Sequence, residues 1–167
     1  MKEMTRQECV AVLSACRLGR LACVCDNRPY VIPIHFVLAN DHLYSFSMQG
    51  KKIDSMRTNP LVCVLVDKFA PRREWRSVIV YGRYEELPNT PQQRDEREHA
   101  WSLLQLHANW WEPGGLKPLL QPAASASSHL FYRIRIESLT GRQAIESHLA
   151  TTSWRPTTWI RGLFVKS

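Results

Sequence analysis

The chain has 167 residues, with 22 lysines and arginines against 15 aspartates and glutamates, and its formal net charge is +7 at pH 7. This length suits one domain that buries roughly two thirds of the surface exposed by the unfolded chain, and its apolar stretches fall short of the roughly 20 residues that cross a bilayer. The positive charge favours anionic partners but does not distinguish nucleic acid, a membrane surface and a phosphorylated cofactor.

The cysteines and the start of the chain bear on the cellular compartment. The first residues have no apolar signal core, and the five cysteines form an odd set within apolar segments. Their spacing does not match a zinc site, and free thiols are typical of a reducing compartment. We therefore expect a cytoplasmic protein with no bound metal and no membrane segment. We also expect no nucleic-acid partner, because the chain has no long basic run and no RNA-recognition signature.

The first predicted element is a helix over residues 5–16, in which Thr5 and Glu8 have the spacing of a capping box. After it the apolar period changes to two, which indicates β-strands. In chain order the predicted strands are residues 21–25, 30–38, 43–47, 61–66, 75–86 and 130–136. Turns are predicted at residues 26–29 and 40–41, where polar residues interrupt the apolar pattern.

A short helix is predicted over residues 51–58, and the turn that leads into it is the most informative motif. This lysine turn, residues 47–52, contains Ser47, Gly50, Lys51 and Lys52. Backbone N–H groups at a helix start are unpaired and carry the positive end of the helix dipole. A phosphate placed there would gain hydrogen bonds and the attraction of two ammonium groups. The turn is not a Walker A loop, and its alternative is an ordinary solvated helix start.

The second half of the chain predicts one more helix, a long loop and a tail. The helix begins with a cap at Thr90 and runs to about residue 107. Residues 109–128 are rich in proline, glycine, alanine and serine, which indicates an irregular loop. After the last strand, residues 140–142 are expected to turn the chain away. We assign residues 1–145 to one domain and leave residues 146–167 as a tail without an assigned structure.

The predicted elements indicate a mainly β protein of the α+β class with peripheral helices. Most strand pairs lack the crossover that a parallel sheet needs, so the sheet is expected to be antiparallel and to close into a barrel. The chain shows no Ser/His/Asp order, no carboxylate pair and no dinucleotide fingerprint. If the protein is an enzyme, its chemistry would belong to a cofactor.

Six motifs occur in a characteristic order between about residue 19 and residue 141. They are residues 19–22 (GRLA), 29–36 (PYVIPIHF), 43–46 (LYSF), 50–53 (GKKI), 59–64 (NPLVCV) and 75–87 (WRSVIVYGRYEEL). Together they resemble the pyridoxamine 5'-phosphate oxidase-like, FMN-binding split-barrel superfamily, and in particular its nitroimidazole-resistance branch. The resemblance implies a six-stranded antiparallel Greek-key split barrel. It also implies a homodimer in which FMN lies in the groove between two protomers.

Carried onto this chain, the resemblance implies a set of FMN-binding residues. They are Pro33, Ile34, His35 and Phe36 along the isoalloxazine ring, Ser47, Gly50, Lys51 and Lys52 at the phosphate, and Ser77 and Val78 beside the same groove. The physics agrees, because a phosphate needs charged donors and a flat ring needs an apolar wall. His35 either faces the ligand as a proton donor or lies at an interface. Trp110 and Trp111 would cover the flavin, pack on the partner protomer or join the core.

The implied activity is that of a flavin-dependent oxidoreductase that passes electrons from NADH or NADPH to a small acceptor. Residues 31–36 replace the Arg-x-Val-Leu-Leu-Lys stretch of pyridoxamine phosphate oxidases, and Phe46 stands where nitroimidazole reductases often carry histidine. The sequence does not indicate the substrate. The alternative is a protein that binds flavin, haem or the deazaflavin F420 without turnover.

Overall fold

An antiparallel β-sheet with three α-helices makes up the structure, a computed structural model that describes residues 1–69, 74–106 and 129–144. Within these ranges the strands are β1 (Lys2–Glu3), β2 (Leu18–Cys25), β3 (Arg28–His35), β4 (Val37–Ala39), β5 (His42–Ser47), β6 (Leu61–Phe69), β7 (Trp75–Leu87) and β8 (Leu130–Ala144). The helices are α1 (Arg6–Ala15), α2 (Lys51–Thr58) and α3 (Arg94–Gln105), with a 3-10 turn at Pro91–Gln93. None of the helices in these ranges is long and apolar enough to span a membrane.

The helix starts follow the capping signals in two cases out of three. Thr5 caps α1 in the predicted box: its backbone N–H donates to Glu8 Oε2 at 2.7 Å, and its Oγ1 accepts from the Glu8 backbone N–H at 3.3 Å. Helix α2 has the predicted bounds, with Gly50 as its N-cap. Thr90 is the N-cap residue with Pro91 at the first helical position, as predicted, but the helix that begins there is a 3-10 turn that precedes α3, and the Thr90 side chain makes no capping hydrogen bond.

The strand order β3-β2-β6-β7-β8-β5-β4 confirms an antiparallel split barrel, but the count of six strands is wrong. The sheet has eight strands because β1 pairs with β8 and because the predicted strand at residues 30–38 is divided at Phe36. The backbone N–H of Phe36 still donates to Arg17 O at 2.9 Å, in the register that follows the Leu18–His35 pair, and from Val37 onward the chain pairs with β5 instead of β2. Strands β3 and β4, the two ends of the order, are therefore joined through a single residue, which we call the seam.

The two predicted β-turns are confirmed by their backbone angles. Asp26 and Asn27 have φ of 50° and 57°, and Asn40 and Asp41 have φ of 47° and 57°. These left-handed values are those of a two-residue hairpin turn, and aspartate and asparagine tolerate them better than most residues do. The turns connect β2 with β3 and β4 with β5 in register.

The turn predicted at residues 140–142 is wrong, because β8 continues through Gly141 to Ala144. Gly141 pairs with Val78 on β7, and a Cβ atom at Gly141 would lie 2.5 Å from Cys9 Sγ. The glycine therefore lets α1 approach the sheet closely, and it does not mark a change of chain direction.

The barrel encloses the main hydrophobic core, which alternate residues of the strands fill. On β7, Val78 and Val80 are fully buried whereas Tyr81 is 48% exposed, as the predicted alternation requires. Ile53 and Met56 of α2 and Leu13 of α1 are also fully buried in this core. Because α2 is packed into this core, the lysine turn at its start is fixed in position relative to the barrel.

Candidate functional site

The lysine turn joins β5 to α2 and presents an open helix start. The backbone N–H groups of Ile53 and Asp54 both donate to Gly50 O, at 2.9 and 3.1 Å. The N–H groups of Lys51 and Lys52, at the first two helical positions, therefore have no acceptor within the helix. A Cβ atom placed on Gly50 would meet no atom within 4 Å, so space is open above the turn.

The two lysines of the turn have different surroundings. Lys51 is exposed, and its Nζ lies 5.4 Å from the centroid of the Tyr30 ring. Lys52 is partly buried, and this burial lowers the pKa of its ammonium group while the nearby Cys23 thiol acts in the opposite direction. Among the described residues, neither lysine pairs with a carboxylate. Both charges are consequently available to an anion.

A network of polar side chains supports the turn from the helix side. The Gln49 amide donates from Nε2 to Asp54 Oδ1 at 2.5 Å and accepts from Arg57 Nη1 at 3.0 Å. Arg57 also makes a two-pronged contact with Glu86 of β7, at 2.7 Å to each oxygen. This contact raises the pKa of the Arg57 guanidinium and lowers the pKa of the Glu86 carboxyl. Sequence reasoning missed Gln49, Arg57 and Glu86, because the β7 partner is 29 residues away from Arg57.

Ser47 lies at the end of β5 with its hydroxyl engaged locally. Its Oγ donates to the backbone oxygen of Met48 at 2.9 Å. A phosphate at the turn would take this hydrogen bond over after a rotation of the side chain. Ser45, two residues earlier and buried, donates from Oγ to the His35 backbone oxygen at 2.6 Å. This bond ties the strand that leads to the turn to the end of the apolar strand β3.

The four residues expected along the isoalloxazine ring divide between two sides of the sheet. The side chains of Ile34 and Phe36 lie in the core, 3% and 1% exposed. Pro33 is exposed and His35 is partly buried, on the opposite side. Burial lowers the pKa of the His35 imidazole and so favours its neutral form. A ligand on the outside of β3 would contact Pro33 and His35 by side chain, and Ile34 and Phe36 only by backbone.

Ser77 and Val78 likewise face opposite sides of β7. Val78 is fully buried, and Ser77 is partly exposed opposite Asp67 of β6. Asp67 accepts a hydrogen bond from Arg20 Nη1 at 2.8 Å, and Arg20 is the cross-strand partner of Pro33. Arg20 and Asp67 thus lie between the strands of Pro33 and Ser77. Only the register of the sheet reveals this pair, because the two residues are 47 positions apart.

The outer face of the sheet, formed by the side chains of β2, β3, β6 and β7 that point away from the core, carries exposed apolar residues beside the Arg20–Asp67 pair. These apolar residues are Leu18 (55%), Val24 (42%), Val31 (58%), Leu61 (53%), Phe69 (78%) and Tyr81 (48%). The registers Ala22 with Val31, Ala22 with Cys63 and Cys63 with Tyr81 place them on one side. An exposed apolar patch of this kind is typical of a protein interface.

Trp110 and Trp111, the two remaining expected site residues, lie outside the described residues. The chain re-enters the described part at His129, and Leu130 pairs with Ser47. All five cysteines are free thiols, with Cys9 and Cys23 buried.

A polar cleft of about 210 Å³ lies between β7 and the start of α3. Its lining residues are Glu85, Glu86, Leu87, Gln92, Gln93, Glu96 and Arg133. Arg133 is held at 2.7 Å by both Glu85 and Glu96, and Tyr44 also donates to Glu96, at 2.6 Å. These contacts hold α3 against the sheet, and they pair the charge of Arg133 with those of Glu85 and Glu96.

Comparison with known proteins places these features in context. The chain matches the family described as pyridoxamine 5'-phosphate oxidase over residues 5–143. An uncharacterised protein of Rhizobium meliloti is 48% identical over 149 residues, which cover 89% of this chain and 99% of that protein. An FAD-binding protein of Mesorhizobium loti is 47% identical, with a TM-score of 0.72 over 86% of this chain and 98% of that chain. A candidate 5-nitroimidazole antibiotic resistance protein of Bacteroides thetaiotaomicron, 18% identical, shares the fold with a TM-score of 0.65 over 84% of this chain and 86% of that chain.

Proposed function

This chain belongs to the pyridoxamine 5'-phosphate oxidase family, and from that membership we propose that it is a cytoplasmic flavoprotein that binds FMN. The observation that carries the proposal is the lysine turn, where two ammonium groups without carboxylate partners flank two unpaired backbone N–H groups. A phosphate dianion at this position would receive charge-assisted hydrogen bonds and the favourable end of the α2 dipole.

The flavin ring would lie on the outside of β3, within reach of Pro33 and His35. The Ser45–His35 hydrogen bond supports this placement, because it holds the end of β3 beside the strand that leads to the turn. His35, in its neutral form, would offer a hydrogen bond to the ring and not a charge. Ser77 would approach the same groove from β7 together with Arg20 and Asp67.

The outer face would bury itself against a second copy of this chain. Six apolar side chains of the described strands, each between 42% and 78% exposed, share this face, and symmetric pairs are the commonest oligomers of soluble proteins. The face includes Val31, next to the strand positions proposed for the ring, so the second copy would also complete the flavin groove.

The proposed activity is electron transfer from NADH or NADPH to a small acceptor. FMN, when bound, supplies the hydride and electron chemistry. This chain's own residues would hold the phosphate, orient the ring and exclude water from one of its faces. FAD is a second candidate cofactor, because the Mesorhizobium loti protein of 47% identity is described as FAD-binding and the space above Gly50 is open to a longer ligand.

The test is to purify the protein and identify whatever ligand copurifies with it. We expect flavin absorption bands, and mass spectrometry of the released ligand distinguishes FMN from FAD, F420 and haem. A colourless protein that binds neither FMN nor FAD in a titration would contradict the proposal. Reduction of the bound flavin by NADH or NADPH, followed by stopped-flow absorbance, then separates an oxidoreductase from a protein that binds flavin without turnover.

A further inference from the structure

The two lysines of the turn lie over one cross-strand pair of the β2–β3 hairpin. Cys23 of β2 is the register partner of Tyr30 of β3. Lys51 lies over the Tyr30 ring, with 5.4 Å between Nζ and the ring centroid, and Cys23 is near enough to Lys52 to act on the pKa of its ammonium group. Tyr30 itself is partly buried and packs against the main core, so its ring is a fixed surface.

The partners of these lysines differ in kind from the partners of many other cations in the chain. Within residues 1–69, 74–106 and 129–144, seven arginines pair with carboxylates at 2.7 to 3.6 Å: Arg6, Arg20, Arg57, Arg83, Arg94, Arg133 and Arg135. A carboxylate that holds a cation also neutralises it and competes with an anionic ligand. An aromatic ring attracts an ammonium group through its quadrupole and leaves the positive charge intact.

We propose that Tyr30 is a positioning residue, whose ring holds the Lys51 ammonium beside the open space above Gly50 so that it is ready to bind the flavin phosphate. This inference rests on the proposed function. A long lysine side chain in water samples many rotamers, and an anion that binds it must restrict them. The Tyr30 ring restricts them before the ligand arrives. Tyr30 would thus contribute to affinity for the phosphate without touching it.

The experiment compares FMN with riboflavin, which lacks the phosphate, in titrations of the ligand-free protein. We expect Tyr30→Leu to weaken FMN binding about two- to fivefold, the range of an exposed cation–π contact, and to leave riboflavin binding unchanged. Tyr30→Phe keeps the ring and should bind FMN as the wild type does. In a Lys51→Ala background, Tyr30→Leu should cause no further loss, because its effect acts through Lys51.

Three results separate the possible failures. Wild-type protein that binds no flavin nucleotide overturns the proposed function. If the wild type binds FMN and Tyr30→Leu binds it with the same affinity, only the role of Tyr30 is overturned. Tyr30→Leu could also lose as much affinity for riboflavin as for FMN, or lose as much with Lys51 replaced as with it present. Either result shows that Tyr30 acts through packing alone and overturns its role in positioning Lys51. A readout without ligand is the NMR signal of reductively methylated Lys51, which should lie upfield in the wild type and move downfield in Tyr30→Leu.

Discussion

Lys51 and Lys52 are adjacent in the sequence, yet their side chains have different surroundings in the structure. Lys52 reaches down toward Cys23 and loses part of its hydration, which lowers the pKa of its ammonium group. Lys51 remains exposed and rests on an aromatic ring. The sequence motif predicts that both ammonium groups flank a helix start. It cannot predict the difference, because Tyr30 and Cys23 come from a hairpin more than 20 residues earlier.

Replacing both lysines with alanine tests the phosphate site at the scale of single residues. A hydrogen bond to a charged group contributes about 1.5 to 3 kcal/mol, so we expect Lys51→Ala/Lys52→Ala to weaken FMN binding at least about tenfold in a fluorescence titration. Riboflavin binding should change little. Lys68→Ala removes an exposed lysine on β6 and serves as the control for net charge. An equal loss in the control would mean that the turn has no special role.

Helix α2 is the element on which the site depends, and Arg57 anchors it to β7. Glu86 accepts from Arg57 through both oxygens and from the Tyr84 hydroxyl at 3.0 Å. The contact with Arg57, more than that with Tyr84, lowers the pKa of the Glu86 carboxyl. The last turn of the helix is thereby held against β7, and Arg57 also donates to Gln49, just before the helix start.

We expect Glu86→Gln to lower the free energy of unfolding by about 1 kcal/mol near pH 7, a modest value because Arg57 is partly exposed. Since the pKa of Glu86 is lower in the folded protein than in the unfolded chain, its contribution is present above the unfolded pKa. It is lost as the pH falls through the folded pKa. Urea unfolding of variant and wild type should therefore converge in acid. Glu98→Gln, which removes a highly exposed pair at 2.9 Å on α3, should have no measurable effect; an equal effect of both changes would contradict the anchoring role.

Strand β8 and helix α1 meet at Gly141, where a side chain has no room. We expect Gly141→Ala to destabilise the protein by about 1 to 3 kcal/mol, because its Cβ would lie 2.5 Å from Cys9 Sγ and 3.1 Å from Met4. Thermal unfolding measures the loss, and Ser138→Ala, at an exposed position of the same strand, is the control. If Gly141→Ala melted at the same temperature as the wild type, α1 would have moved to make room for the side chain without a loss of stability.

Elements governed by local rules could be predicted from the sequence, and those governed by distant contacts could not. The capping box at Thr5, the bounds of α2 and the two hairpin turns follow from neighbouring residues. The division of a strand at Phe36 depends on a change of pairing partner from β2 to β5, and the role of Gly141 depends on α1. At the site, the lysine turn is continuous in sequence, whereas Arg20 and Asp67 meet only through the sheet register.

At the scale of the whole molecule, the proposed dimer rests on the outer face of the sheet. We expect the wild type to be a dimer by light scattering and Tyr81→Glu to be a monomer, because a buried carboxylate without a partner is costly in an interface. Leu106→Glu changes an apolar residue that directly follows α3 and is 78% exposed, and it should leave the dimer intact. A monomeric wild type would contradict the proposed groove, and a dimeric Tyr81→Glu variant would place the interface elsewhere.

The seam at Phe36 carries a consequence for the response of the protein to its ligand. At this junction the chain exchanges β2 for β5 as its pairing partner, and the bonds from Ser45 Oγ to His35 O and from the Phe36 N–H to Arg17 O lie beside the exchange. Amide protons around such a junction should exchange with solvent through small local openings, well before the whole barrel unfolds. A flavin that rests on β3 and is held from the end of β5 would bind only the unopened form, so occupancy would slow hydrogen exchange there first. The same local opening would set how readily the cofactor is released.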